Sequence, residues 1–181
     1  MRRLPILLMA VTLLAWPEFS LGPVSAAPRP APTGENNTPT EPLVIVVNRS
    51  NPIDELSSAE LRKIFLGNRS HWANGRRITL VMREPGDEER HIILREVCGM
   101  TEEQLKNHFL HGLFTGEILV SPKILSSSTG VRKFIFNVPG AIGYLRIGDV
   151  DPTVKVVRID ELLPEDKGYK LRVPAEQVSG N

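Results

Sequence analysis

A single cysteine, Cys98, stands in the 181 residues, so no disulfide can form within the chain and the fold must rest on its core. Cys98 lies in the apolar stretch Ile92, Ile93, Leu94, Val97, the setting of a buried, inert thiol. Excess charge of either sign is also lacking: 22 Lys and Arg face 21 Asp and Glu, which gives no electrostatic case for nucleic acid. Neither a Gly-x-Ser-x-Gly elbow nor a cysteine-protease signature is present, so nothing points to an enzyme. His108 and His111 lie three apart with His91 upstream. No carboxylate stands at the spacing of a zinc motif, so no metal or cofactor is expected.

Long apolar runs are confined to the start of the chain. Arg2 and Arg3 precede Leu4 to Trp16, and a polar stretch then ends in Val24, Ser25, Ala26 and Ala27. This basic, apolar and small-residue order is that of a secretory signal peptide, residues 1–26, cut after Ala26. The run is interrupted by Thr12, Pro17 and Glu18 and falls short of the ~20 residues that span a bilayer. Removing residues 1–26 takes away Arg2, Arg3 and Glu18, so the formal charge of +1 falls to zero. The absence of a cysteine at the cut argues against a lipid anchor. The expected product is exported and does not span a membrane once mature.

Residues 27–42 carry Pro28, Pro30, Pro32, Pro39 and Pro42 among Ala, Thr, Asn and Glu, the composition of a solvated tether. From Leu43 the texture changes to Leu43-Val44-Ile45-Val46-Val47, a continuous β-branched run that predicts a strand covered on both faces. Ser57 and Glu60 have capping-box spacing before Leu61, Ile64 and Phe65, and Gly67 is placed to end that helix. Ile78 to Met82 predicts a second strand, followed by the turn Glu84-Pro85-Gly86 and a helix from about Asp87 to Val97.

Thr101 and Gln104 repeat the capping-box spacing ahead of Leu105, Phe109 and Leu113. Val131, Phe134, Ile135 and Val138 mark a last helix beginning at Ser127 or Ser128 and stopped by Pro139-Gly140. Ala141 to Leu145 and Val154 to Val157 complete the strands. The alternation predicts an α/β domain over residues 43–160, with a mixed sheet of about five strands and helices on both faces. Residues 161–181 are expected to form a C-terminal extension.

Several of these residues fall into one pattern: Leu56-Ser57 opening a helix, Ile64-Phe65-x-Gly67, Trp72-x-x-Gly75, a strand ending at Arg83, Phe114-Thr115-Gly116, and Pro139-Gly140-Ala141-Ile142-Gly143-Tyr144. Together they resemble the phosphate-type periplasmic solute-binding proteins of ABC transporters, in the class II periplasmic-binding-protein fold. The resemblance runs from about Leu43 to Ile159. A complete member has two lobes hinged around a ligand cleft and needs about twice this length, so the resemblance implies a single lobe, the second. It also implies a periplasmic location, a small phosphate-like anion as ligand, and as partner the membrane component of an ABC transporter or another envelope protein.

In that family the strand matching Ile78–Met82 ends in an arginine, followed by a glycine and a Ser-Gly-Thr sequence at a helix N-terminus. Guanidinium, hydroxyl and free N–H groups there converge on an oxyanion. Arg83 matches the arginine and Gly86 the glycine, but Asp87, Glu88 and Glu89 stand where Ser-Gly-Thr would be. Three carboxylates would repel phosphate and compete for the N–H groups. They would also suit the positive end of the helix dipole, with Arg83 paired to one of them. Anion binding through Arg83 and Gly86, a self-satisfied site, and a cationic ligand or a partner's basic residue on the acidic turn remain three readings. Ser127, Ser128 and Thr129, with Arg132 and Lys133 near, offer a second set of anion donors or an ordinary helix cap. Trp72 and Tyr144 are expected in the core.

Overall fold

Residues 39–175 are described by a computed structural model; the expected signal peptide 1–26, tether residues 27–38 and residues 176–181 lie outside them. The run Leu43–Val47 becomes the middle of β1 (Thr40–Asn48), and all five of its side chains are fully buried. Burial of this kind contributes roughly 1.5–3 kcal/mol per large aliphatic side chain.

After β1 come β2 (Glu55–Leu56), α1 (Ser58–Phe65), β3 (Thr79–Arg83), α2 (Glu88–Ile93) and α3 (Glu102–Thr115). They are followed by β4 (Lys123–Leu125), α4 (Ser128–Asn137), β5 (Ala141–Arg146), β6 (Val154–Ile159) and β7 (Arg172–Pro174). The sheet order is β2-β6-β1-β5-β3-β4, with β7 added beside the start of β1. β1 runs antiparallel to β5, β6 and β7, whereas β3 is parallel to both β5 and β4. The sheet is mixed, as expected. It has seven strands rather than about five, because β2, β4 and β7 span two or three residues each and are too short to show an alternating pattern.

Alternation along β1 explains why helices lie on both faces. Leu43, Ile45 and Val47 pack with Leu61, Ile64, Phe65, Ile93, Leu105 and Phe109 on one side. Val44 and Val46 pack with Val81, Val131 and Ile135 on the other.

Both expected capping boxes form: Ser57 with Glu60 at α1, and Thr101 with Gln104 at α3. α2 does not run to Val97 as a uniform helix. It widens into a π turn over Leu94–Cys98 and ends at Gly99 in the left-handed region. Leu113 is exposed, and Gly112 takes the core position against Ile118 in its place. A spacing of four drifts off a helical face, whereas Leu105, Phe109 and Gly112 at i, i+4 and i+7 stay on it.

Residues 161–175 do not leave the fold at Ile159 as the expected extension would. Tyr169, Leu171 and Val173 are buried in the main cluster, and the Tyr169 hydroxyl donates to the Leu43 carbonyl at 2.9 Å. β7 pairs Pro174 with Thr40 and Arg172 with Pro42, so β1 begins inside the segment expected to be tether. Tyr169 and Leu171 precede β7 and share the buried side of the segment with Val173, while the strand itself spans only Arg172–Pro174.

The turn entering this segment carries backbone strain. Ile159 and Leu162 form a two-residue hairpin whose central residues, Asp160 and Glu161, have φ of 50° and 67°. Asp160 is held there because its carboxylate accepts from the Ser58 N–H at 2.8 Å and from the Ser58 hydroxyl, capping α1. Glu161 is exposed. Relief of left-handed strain, less the extra chain entropy of glycine, makes Glu161→Gly stabilising by ~0.5–1 kcal/mol. Thermal unfolding checks this, and a lowered midpoint would show that Glu161 is not strained.

Cys98 is fully buried, and desolvation pushes its thiol up to about 11 against the opposing charges of Arg62 and Arg90. The thiolate fraction near neutrality falls about a hundredfold from that of an ordinary cysteine. An aromatic disulfide reagent is therefore expected to leave the native protein unmodified and to titrate one thiol after denaturation. Fast labelling of the folded protein would contradict the burial.

Candidate functional site

Because β3, β4 and β5 are mutually parallel and β1 is antiparallel to them, the C-terminal ends of β3, β4 and β5 and the start of β1 share one edge of the sheet. Open α/β sheets present ligand sites outside the carboxyl ends of their strands. Arg83 ends β3, Leu125 lies opposite it on β4, and Leu43 lies opposite Arg146, the last residue of β5. The loops leaving β3 and β4 lead into α2 and α4, so both helix N-termini point to this edge.

Arg83 is fixed from both sides of its backbone. Its N–H donates to the Tyr144 hydroxyl at 2.9 Å, and its carbonyl accepts from Arg90 Nη1 at 2.8 Å. Its guanidinium is occupied. Nε and Nη2 both donate to Asp87 Oδ2, at 3.0 and 2.5 Å, and Nη1 reaches Ser128 Oγ at 3.4 Å. Asp87 is at the same time the N-cap of α2, its Oδ1 accepting from the Glu89 N–H at 3.2 Å. Burial works against its charge, but the hydrogen bonds from Glu89 and Arg83 outweigh this and hold the carboxyl below the usual carboxylate range. Of the three sequence readings, a self-satisfied site is the one this geometry displays.

The other expected residues divide. Gly86 supplies the positive φ, 90°, that turns the chain from β3 into α2. Glu89 turns inward and accepts from Arg146 Nε at 2.7 Å, while Glu88 reaches Arg146 Nη2 only at 3.5 Å and stays half-exposed. Burial and then the hydrogen bond with Asp87 push the Glu89 carboxyl up from its ordinary value. Ser127 caps α4 by accepting from the Gly130 N–H at 3.1 Å, the cap reading of that segment. Ser128 joins Arg83, and Thr129 is exposed. Arg132 is turned away, onto the Asp149 carbonyl and the Asp151 carboxylate.

Two arginines escaped the sequence reading. Arg90 is buried and donates through Nε and Nη2 to Glu102 at 2.8 and 2.6 Å. Arg146 is buried as well, and besides Glu89 its Nη1 donates to Glu41 at 2.6 Å and to the Pro174 carbonyl at 2.7 Å. Burial would strip its proton, but the hydrogen bonds with Glu41 and Glu89 push its pKa up instead. An arginine closing a strand that is otherwise wholly apolar, Ala141 to Leu145, is the signal that could have marked it.

The match to known proteins follows the same residues. The PBP superfamily domain matches residues 40–174, from the start of β1 to the end of β7. The chain belongs to this superfamily. It is 30% identical over 128 residues to the phosphate-binding protein PstS of Bacillus subtilis (strain 168), an alignment covering 69% of this chain and 38% of that protein. Its fold is similar to that of an ABC-type phosphate transport receptor from Vibrio cholerae, with a TM-score of 0.60 and 23% identity over 75% of this chain and 55% of the receptor. A phosphate ABC transporter substrate-binding structure with bound phosphate, from Clostridium perfringens, gives a TM-score of 0.61 and 22% identity over 76% and 56%. This superfamily chain thus spans about half the length of those structures, as a single lobe of the class II fold.

Trp72 and Tyr144 lie in the core, as expected, and the family blocks acquire physical reasons. Trp72 Nε1 donates to the Gly140 carbonyl at 3.0 Å, tying the Trp72-x-x-Gly75 block to Pro139-Gly140-Ala141. Of the histidines, His108 Nε2 lies 2.8 Å from the Leu66 carbonyl, while His91 and His111 are exposed. Among the described residues no group of three His, Cys, Asp or Glu side chains could hold a metal ion, and no helix is long and apolar enough to cross a membrane.

Proposed function

We propose that this protein is an exported, non-enzymatic solute-binding lobe that captures a small oxyanion of the phosphate kind at Arg83, in competition with its own Asp87. The observation that carries the reading is the Arg83 guanidinium. It is held in place at its backbone by Tyr144 and Arg90, aimed at the edge where Ser128 and the α2 N-terminus converge, and matched to a carboxylate that occupies the place of an anion. A carboxylate bound through one oxygen to a guanidinium and through the other to a helix N–H supplies what an oxyanion would supply. The similarity to the phosphate receptors of Vibrio cholerae and Clostridium perfringens supports phosphate as the solute. Affinity is weak in the isolated lobe, because ligand sites usually bury most of a small ligand and one lobe supplies half of the walls. A second lobe, from another copy or from a transporter's membrane component, would close the cleft.

Calorimetric titration of the folded protein with phosphate tests this. A weak saturable heat that Arg83→Ala abolishes is the expected result; binding that survives Arg83→Ala would place the site elsewhere.

A second reading is favoured by the completeness of the internal pairing. With Arg83 on Asp87 and Arg146 on Glu89, Glu88 and Glu41, the lobe could serve as an envelope interaction module that keeps the fold and has given up its solute. A folded monomer that shows no heat with phosphate, sulfate or a divalent cation would decide for that reading.

A further inference from the structure

The four side chains at the α2 N-terminus place two carboxylates between two guanidiniums. Arg83 holds Asp87 through Oδ2, Asp87 Oδ1 accepts from the Glu89 N–H at 3.2 Å, and Arg146 Nε donates to Glu89 Oε1 from the far side. The two carboxylates, two residues apart and largely shielded from water, are each held by one guanidinium. An oxyanion entering at Arg83 removes one of these supports. Asp87 then loses its guanidinium, stays beside Glu89, and gains the anion as a further negative neighbour. Neighbouring like charges shielded from water disfavour ionisation of both.

The surrounding groups do not cancel this demand. From α2, Glu88 adds negative charge and is matched only loosely by Arg146 at 3.5 Å. Arg90 is committed to Glu102 of α3 and to the Arg83 carbonyl. On β5, Arg146 already serves Glu41 of β1 and the Pro174 carbonyl of β7 along with Glu89. Tyr144, also on β5, has its hydroxyl engaged by the Arg83 N–H, and from α4 comes only the neutral Ser128 hydroxyl. No guanidinium in this set stands free to take over Asp87 once Arg83 has turned to a ligand.

We propose that oxyanion capture at Arg83 is proton-linked: as the anion takes the place of Asp87 on the guanidinium, the Asp87–Glu89 pair takes up one proton from solvent, so that affinity rises as pH falls. This rests on the reading of Arg83 as the anion's ligand. It adds to that reading a dependence on the acidity of the compartment, and tolerance of a fully deprotonated anion, since the protonated pair offers a donor in place of a repelling charge.

Sulfate is the suitable probe because it remains a dianion across the range in which carboxyl pairs titrate. Calorimetry of the wild-type protein is expected to show sulfate binding about tenfold tighter at about pH 5.5 than at about pH 8. The heat should also vary with the ionisation enthalpy of the buffer in proportion to about one proton taken up. Glu89→Gln keeps a hydrogen-bonding partner for Arg146 but cannot titrate, and it should flatten the pH profile. The buffer dependence tests the linkage in the wild-type protein alone, should that variant fold poorly. Flat affinity with no buffer dependence, an undiminished slope in Glu89→Gln, or phosphate binding without sulfate binding would each overturn the proton linkage while leaving Arg83 as the phosphate ligand. Absence of both anions at every pH would overturn the linkage and the solute-binding reading together.

Discussion

Replacing Asp87 by serine is expected to raise phosphate affinity at least about tenfold, a gain of about 1.4 kcal/mol or more. Asp87 and Arg83 are both shielded from solvent, with side-chain exposures of 17% and 13%, so a phosphate must displace a carboxylate from a largely buried guanidinium and then remain beside it. Two unit charges about 4 Å apart repel by about 4 kcal/mol at the effective dielectric of a protein surface, and a dianion fares worse. Serine removes that charge and remains a good N-cap for α2. It also restores the residue type that the resembling family has after the arginine and glycine. The cost is a guanidinium without its partner, so the ligand-free variant should be less stable than the wild type, and phosphate should restore part of the loss. Adding Arg83→Ala to Asp87→Ser should abolish the gain. Unchanged affinity in Asp87→Ser would mean that Asp87 does not compete for the site.

The largest expected effect on stability belongs to Gly140. A Cβ at this position would lie 2.1 Å from the Arg77 carbonyl oxygen, and a backbone oxygen cannot swing aside as a side chain can. The same turn receives the Trp72 indole N–H and the Thr79 N–H on the Gly140 carbonyl, both at 3.0 Å. Any shift that relieves the clash therefore pulls on the start of β3 and on a buried tryptophan. Gly140→Ala should cost about 3 kcal/mol or more, at the upper end of overpacking effects, and lower the melting temperature by about 10 °C or more. Gly148→Ala is the control: its Cβ would meet nothing nearer than Glu41 Oε2 at 4.0 Å, and it should melt close to the wild type. Equal behaviour of the two variants would show that the Gly140 turn is not sterically constrained.

What could be read in advance depended on the range over which each signal acts. The β1 run, the Ser57–Glu60 and Thr101–Gln104 caps and the α4 stripe were legible because each is local: period, cap and apolar run lie within one element. β7 was not, since three residues gain their strand character only by pairing with Thr40–Pro42 more than a hundred positions earlier. The π turn at Leu94–Cys98 also gave no local sign.

The site divided in the same way. That Arg83 would pair with one of three following carboxylates could be expected from proximity along the chain, and Asp87 is the N-cap, where a short side chain reaches both the helix N–H and the guanidinium. The role of Arg146 could not be read. Its partners Glu41, Glu89 and Pro174 come from β1, α2 and β7 and meet only when the sheet has formed. Nor could the inward turn of Glu89, which needs Arg146 to compensate its burial.

The most direct measurement is a crystal structure of the protein grown with phosphate. A phosphate within hydrogen-bonding distance of Arg83 Nε and Nη2 and of Ser128 Oγ, with the Asp87 carboxylate displaced from the guanidinium, is the result expected. Phosphate bound elsewhere, or Asp87 still on Arg83 in a protein saturated with phosphate, would contradict the assignment of Arg83 as the anion's ligand.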